Sequence, residues 1–235
     1  MPVKRMPTLV SAIACAVAAL CGTAGAATLV HDYQLNGTLA DSLGGPSLVA
    51  NGGTVGASGY TFGDGQGLSL SNPGISNDYV IDISFSFDNT SGYRKILDFK
   101  NLTADAGLYN RNGELVFYSI AFPGGTPITA GTPVLVSLSR DSTTGQVVGS
   151  VNGVQQFSFT DTGSNAVFDA ANNIIWFFTD DTTTSGNEAS SGFVDYIQIS
   201  TVNAAPVPEP SAVMSVAAVS AAALAVMFRR RRAAA

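Results

Sequence analysis

The sequence predicts an all-β domain, built as stacked antiparallel sheets or a closed barrel, between two terminal segments of different character. Three observations carry this. Short apolar runs with period-two alternation recur through residues 28–202. Clusters of Gly, Asn, Asp and Ser separate those runs. No stretch of the middle region sustains a helical period.

The first strand is read at 29–35, LVHDYQL, where Leu29, His31, Tyr33 and Leu35 share one face. Residues 79–88, YVIDISFSFD, alternate most cleanly. Tyr79, Ile81, Ile83, Phe85 and Phe87 fall on one side, and Asp82, Ser84, Ser86 and Asp88 on the other, with Val80 the exception. Such a run is a half-buried antiparallel strand. Further strands are expected at 113–118, 133–139, 146–151, 154–159, 174–178 and 193–200. Asn152-Gly153 joins two of them and predicts a tight hairpin, because both residues accept positive φ. Trp176, the only tryptophan, sits in IIWFF and is expected in the core. Tyr60, Tyr93 and Tyr109 lie beside turn residues; they are either exposed aromatic rings or caps on the edge of the sandwich. No internal repeat is visible, which argues against a propeller or solenoid.

Residues 28–205 hold sixteen acidic side chains against five basic ones, Arg94, Lys95, Lys100, Arg111 and Arg140. A surface so negative repels nucleic-acid phosphates. The other six basic residues lie in the two terminal segments.

Those segments read as addresses. Residues 1–27 fit a secretory signal peptide. Lys4 and Arg5 precede the apolar stretch Leu9 to Leu20, and Ala24-Gly25-Ala26 meets the small-x-small rule of signal peptidase, placing the cut after Ala26 or Ala27. Both cysteines, Cys15 and Cys21, fall inside this leader, so the mature chain has no disulfide, no Cys-ligated zinc and no thiol nucleophile. At the other end, Pro206, Pro208 and Pro210 keep a linker over 203–211 extended. Residues 212–228 carry no charge and no proline. At about 1.5 Å per residue they nearly span a hydrocarbon core and predict a transmembrane helix. Arg229, Arg230, Arg231 and Arg232 follow in the tail 229–235 and hold that end in the cytoplasm.

Val207-Pro208-Glu209-Pro210-Ser211, the short Ala/Val helix and the four arginines resemble, in that order, the PEP-CTERM sorting signal. The resemblance implies recognition of Pro208, Glu209 and Pro210 by exosortase, a membrane transpeptidase of Gram-negative bacteria that make extracellular polysaccharide. The order of DYQLNGTLADS, TFGDGQGLSL, RKILDFKN, GLYNRNGELVFY, SRDSTTGQVVGSVNG, IIWFFTDD and SGFVDYIQI resembles the laminin G/concanavalin A-like lectin and glucanase superfamily. It implies a two-sheet jelly-roll sandwich over 28–202, with the last strand pairing back to the first.

Glucanases of that superfamily carry a Glu-x-Asp-x-x-Glu strand. Here only Glu114 and Glu188 precede the sorting motif, and the nearest lookalike, Val80-Ile81-Asp82-Ile83-Ser84-Phe85, has neither glutamate. The single histidine, His31, shares a face with Leu29 and Tyr33 and reads as a packed, hydrogen-bonded residue rather than a catalytic base. Gly63-Asp64-Gly65-Gln66-Gly67 lacks a lysine and a following helix, so it reads as a turn and not a phosphate loop. Residues 179–188, TDDTTTSGNE, offer hard oxygen ligands, and Asp180, Asp181 and Glu188 are the candidate calcium ligands. The alternative is an acidic, solvated loop held by Asp–backbone turns. Calcium is therefore an optional cofactor, and none is required.

Together these readings describe an exported, non-enzymatic protein at the cell surface or in the extracellular matrix. Its expected partners are signal peptidase, an exosortase-type transpeptidase, the membrane transiently, and extracellular polysaccharide. A carbohydrate-binding role leads. A purely structural envelope or biofilm component and a divergent glycan hydrolase or lyase are the alternatives.

Overall fold

The computed structural model describes residues 27–124, 128–168, 173–181 and 187–202. The expected signal peptide, sorting motif, transmembrane helix and arginine tail lie outside the described residues. No helix among those described is long and apolar enough to cross a membrane.

The described residues form fourteen strands in two sheets, all paired antiparallel. One sheet holds β1 (Ala27–Tyr33), β3 (Thr54–Gly56), β4 (Gly59–Phe62), β6 (Tyr79–Phe87), β10 (Val134–Arg140), β11 (Gln146–Val151), β12 (Val154–Thr160) and β14 (Gly192–Val202). Its order is β12-β11-β10-β6-β14-β4-β3, with β1 also on β14. The other runs β2 (Val49–Asn51), β5 (Gly67–Ser71), β13 (Ile174–Phe177), β7 (Tyr93–Asp98), β8 (Gly107–Arg111) and β9 (Glu114–Tyr118).

The long β14 organises the larger sheet. One edge pairs with β6; the other takes β4 at residues 192–194 and β1 at 197–202. A bulge between Val194 and Tyr196 separates the two partners. The expected return of the last strand to the first is thus present. The Asn152-Gly153 hairpin forms as expected, with φ of 49° and 77°.

The alternation in β6 is realised residue by residue, buried and half-buried in turn. Its inward side chains meet those of the facing sheet in one core cluster that includes Phe62, Leu68, Ile96, Phe117, Ile175 and Phe177. Each such side chain contributes about 1.5–3 kcal/mol by leaving water. Phe178 is the hub. It lies 4.7 Å from the Phe62 ring, 5.2 Å from Phe85 and 5.8 Å from Phe87, ring centre to ring centre. Its backbone holds φ at 63°, an uncommon conformation for a bulky residue, and this aims the ring inward just as the chain leaves β13.

One aromatic expectation changes, and the choice left open for three tyrosines is decided. Trp176 is not core: it points outward from β13, partly exposed, and its indole N–H donates to Asn101 Oδ1 at 3.0 Å. Alternation explains this, since Ile175 and Phe177 take the inward positions on either side. Tyr60 and Tyr109 are fully buried, and of the three candidate tyrosines only Tyr93 keeps partial exposure. Tyr60 donates to the carbonyls of Gly52 and Gly67, and burial pushes its hydroxyl up to about 12.

Candidate functional site

Two connections flank the outer face of the six-stranded sheet. One is 99–106 between β7 and β8; the other joins β13 to β14, with 178–181 and 187–191 described. Beside them sits a group of charges. Lys95 projects from β7 next to a register shift between Lys95 and Leu97. Its Nζ donates to Asp181 Oδ2 at 3.0 Å and Asp98 Oδ2 at 3.3 Å, and all three side chains are sealed from solvent. It also lies 5.2 Å from the centre of the Tyr109 ring. Asp98 Oδ1 accepts the backbone N–H of Lys100 and of Leu102, both at 2.9 Å, which fixes the turn after β7.

Around this pair stand more carboxylates. Asp105, Asp181 and Glu188 each offer an oxygen, and these oxygens all lie within 4.8 Å of one another. Asp180, the third residue expected with Asp181 and Glu188, serves the backbone instead, since its Oδ2 accepts the Glu188 N–H at 3.1 Å. The structure therefore brings Asp181 and Glu188 together and sets Asp105 beside them. Asp180 Oδ1 is buried without a hydrogen-bond partner, and the buried Tyr109 hydroxyl is turned to the Glu188 carboxyl.

The electrostatics follow from this crowding. Burial raises the Glu188 carboxyl above its ordinary value; Asp105 and Asp180 add to the rise, while Tyr109 and Lys95 oppose it. The Tyr109 hydroxyl is driven far up, first by burial and then by the facing carboxylates of Glu188, Asp105 and Asp181. A set of donors made only of oxygen, without His or Cys, suits a hard cation.

A polar cleft of about 460 Å³ adjoins this centre, lined by Asp64, Asn89, Arg94, Asn187, Ser190 and Ser191. Arg94 Nη1 donates to the carbonyl oxygens of Asn187 at 2.5 Å and Ala189 at 2.8 Å, and its Nε is buried without a partner. The Lys95 N–H donates to the Glu188 carbonyl at 2.8 Å. Segment 187–191 is therefore the shared wall of the cleft and the acidic centre.

Other expected site residues lie apart. His31 is buried in β1, with Nδ1 2.7 Å from Asp41 Oδ2 and Nε2 2.5 Å from the Pro73 carbonyl oxygen. This is the packed, hydrogen-bonded histidine expected. Gly63–Gly67 forms a turn closed by Gln66, whose N–H reaches the Gly63 carbonyl at 3.1 Å and whose Oε1 accepts the Gly63 N–H at 2.7 Å.

No family model matches the chain, and no curated protein matches it. Solved structures do. Domain 4 of AbnA, a GH43 extracellular arabinanase from Geobacillus stearothermophilus solved with arabinotriose, has a TM-score of 0.57 at 20% identity over 75% of this chain and 93% of that one. Trypanosoma rangeli sialidase has a TM-score of 0.54 at 16% identity over 75% of this chain and 31% of the sialidase. The chain thus spans about a third of the sialidase. These likenesses show a common two-sheet β fold.

Sequence reasoning missed Asp105, Asn89 and Arg94. Asp105 lies 76 residues from Asp181, and no spacing rule links positions that meet only through sheet pairing. Arg94 carried one faint signal, as one of five basic residues in an acidic region.

Proposed function

We propose that this is an exported β-sandwich of the concanavalin A-like/laminin G-like jelly-roll type that retains extracellular polysaccharide in the Arg94 cleft without cleaving it. The observation that carries the reading is the lining of that cleft. Amides, hydroxyls and one guanidinium converge there, with Asp64 the single carboxylate of the lining. Such groups complement the hydroxyls of a sugar, and the volume falls within the usual range of ligand sites. No aromatic ring lines it among the described residues, so recognition rests on hydrogen bonds, and the affinity for one sugar unit is low. The AbnA domain, similar in fold, was solved in complex with arabinotriose, which lends the carbohydrate reading support.

Delivery follows the terminal signals. Signal peptidase removes the leader near Ala26. The Pro208-Glu209-Pro210 motif, the 212–228 helix and Arg229 to Arg232 hold the chain in the inner membrane until an exosortase-type enzyme processes it. Intact mass of the protein from its native cell tests this; a full-length chain there contradicts it.

For the binding role, affinity electrophoresis through gels cast with a panel of polysaccharides is the test. At least one should retard the protein, and Arg94→Ala should abolish the retardation. Equal mobility in every gel contradicts the reading.

One observation favours a second reading, a divergent glycan hydrolase. The raised Glu188 carboxyl close to Asp105 and Asp181 resembles the acid partner of a carboxylate pair. Product release from the same panel, lost in Glu188→Gln, would establish it.

A further inference from the structure

We propose that Lys95 and Asp181 condense into an intramolecular isopeptide bond, an amide between the Lys95 Nζ and the Asp181 side-chain carbonyl that ties β7 to the β13–β14 connection. This inference is independent of any ligand the cleft holds.

The two groups are already in contact. Lys95 Nζ lies 3.0 Å from Asp181 Oδ2, and both side chains are sealed from solvent. One C–O bond of about 1.23 Å then places the carboxyl carbon within roughly 4.2 Å of the nitrogen. A small approach completes the contact of about 3–3.5 Å from which well-oriented groups react, at effective molarities of up to about 10⁵–10⁸ M.

Burial sets the direction. In bulk water both ions are well solvated, and abundant water favours hydrolysis of an amide over its formation. In the interior neither holds. Desolvating two ions is unfavourable, and their mutual attraction offsets this only in part. Condensation removes both charges, leaves a neutral amide in a closed site, and releases its water to the bulk.

The atoms balance within the pair. The ammonium passes one proton to Asp181 Oδ2 along the 3.0 Å hydrogen bond, giving an amine and a carboxylic acid. The nitrogen lone pair attacks Cγ and forms the C–N bond. Asp98 Oδ2, 3.3 Å from the same nitrogen, takes a second proton and returns it to the departing hydroxyl as the C–O bond breaks. One water leaves. Nothing is oxidised or reduced, and Asp98 ends unchanged.

The surroundings single out these partners. Asp98 Oδ1 accepts the N–H groups of Lys100 and Leu102, which pins its carboxylate beside the nitrogen as the base. Lys100, the other lysine among the described residues, donates to the carbonyl oxygens of Ser164 and Val167 rather than to a carboxylate. Arg140 and Asp161 form a second buried ion pair, but a guanidinium has no acceptor lone pair with which to attack.

The bond would close a loop between positions 86 residues apart. Such a closure restricts the unfolded chain as a disulfide does, in a sequence whose two cysteines both fall in residues 1–27. No reductant opens an amide.

The test is mass spectrometry on the full chain, wild type beside Lys95→Arg. The arginine keeps a cation next to both carboxylates and removes the nucleophile. Each protein's intact mass is compared with that of its own sequence between the termini found, and its digest is read by tandem spectrometry. Wild type should be lighter by one water and should yield a branched peptide joining Lys95 to Asp181. Lys95→Arg and Asp181→Ala, each checked for folding by near-ultraviolet circular dichroism, should carry their full mass. Asp98→Asn should slow bond formation about 10²–10⁴-fold, as expected for a lost general base. Folded wild type at full mass overturns the proposal. A water loss that persists in Lys95→Arg belongs to cyclisation elsewhere, as at Asp64-Gly65, and overturns it equally. A branch from Lys95 to Asp98 overturns the assignment of Asp181.

Discussion

Replacing Lys95 by methionine is the sharpest probe of the charged centre. Methionine keeps most of the stem volume and removes the ammonium. The structure places that ammonium 3.0 Å from Asp181 and 3.3 Å from Asp98, with no solvent on any of the three side chains. Removing one partner of a buried pair strands the other charges and costs about 3–5 kcal/mol. The attraction between the ammonium and the Tyr109 ring disappears at the same time; it is smaller, about 1–2 kcal/mol, and falls within that range. For a domain of 150–250 residues each kcal/mol moves the midpoint by about 2–4 °C, so Lys95→Met should melt about 6–20 °C lower in chelator. Adding Asp98→Asn should recover part of the loss, because it removes a stranded charge while Asn Oδ1 still accepts from Lys100 and Leu102. The assay is thermal unfolding by circular dichroism for the two single variants and the double. A Lys95→Met midpoint within 1 °C of wild type, or strictly additive changes (coupling below about 0.5 kcal/mol), would refute the reasoning.

Other expectations are simpler. Phe178→Ala should cost about 3–5 kcal/mol, as expected for a large ring removed from a packed core; denaturant unfolding with an unchanged m-value checks it. Gly67→Ala should destabilise by about 1–3 kcal/mol, because a Cβ there strikes the Phe177 carbonyl oxygen and the Thr179 hydroxyl; an unshifted melting curve contradicts it. Burial opposes ionisation of Asp41, but hydrogen bonds from the Asp32 N–H, His31 and the Leu43 N–H outweigh it and hold its carboxyl below the ordinary value. Its folded value is the lower one, so its stabilisation is fully present above the unfolded value of about 3.9 and is lost as pH falls through the folded value. The stability gap between wild type and Asp41→Asn should therefore be wide near pH 5 and narrow as the pH falls below the unfolded value of about 3.9 and through the lower folded value; a gap independent of pH over that window contradicts the assignment.

Most of the larger sheet was legible because its strands alternate. β6, β10, β11, β12 and β14 each carry inward Val, Ile, Leu or Phe against outward Ser, Gln or Asp, and their observed bounds match the expected runs within a residue or two. The short strands β2, β3, β4 and β5 were not read as strands. They span three to five residues each and are rich in Gly, Ser and Thr, so periodicity had too little to work on. β7 hid for another reason: YRKILD buries its lysine and aspartate under covering loops, and a buried ion pair breaks the apolar alternation. The same covering explains Tyr109, whose outward position on β8 would be exposed on a bare sheet. The acidic stretch at 179–188 marked half of the candidate site by composition. Asp105, Asn89 and Arg94 arrive there only by strand pairing and loop closure, which local sequence does not encode.

The most direct test of the glycan-binding account is amide chemical-shift mapping by NMR, in calcium, with the polysaccharide that retards the protein most. The account predicts shifts concentrated at Asn89, Arg94, Asn187, Ser190 and Ser191. Shifts on the outward face of the eight-stranded sheet, at Asp82, Tyr196 and Gln198, with the Arg94 cleft unmoved, would contradict it.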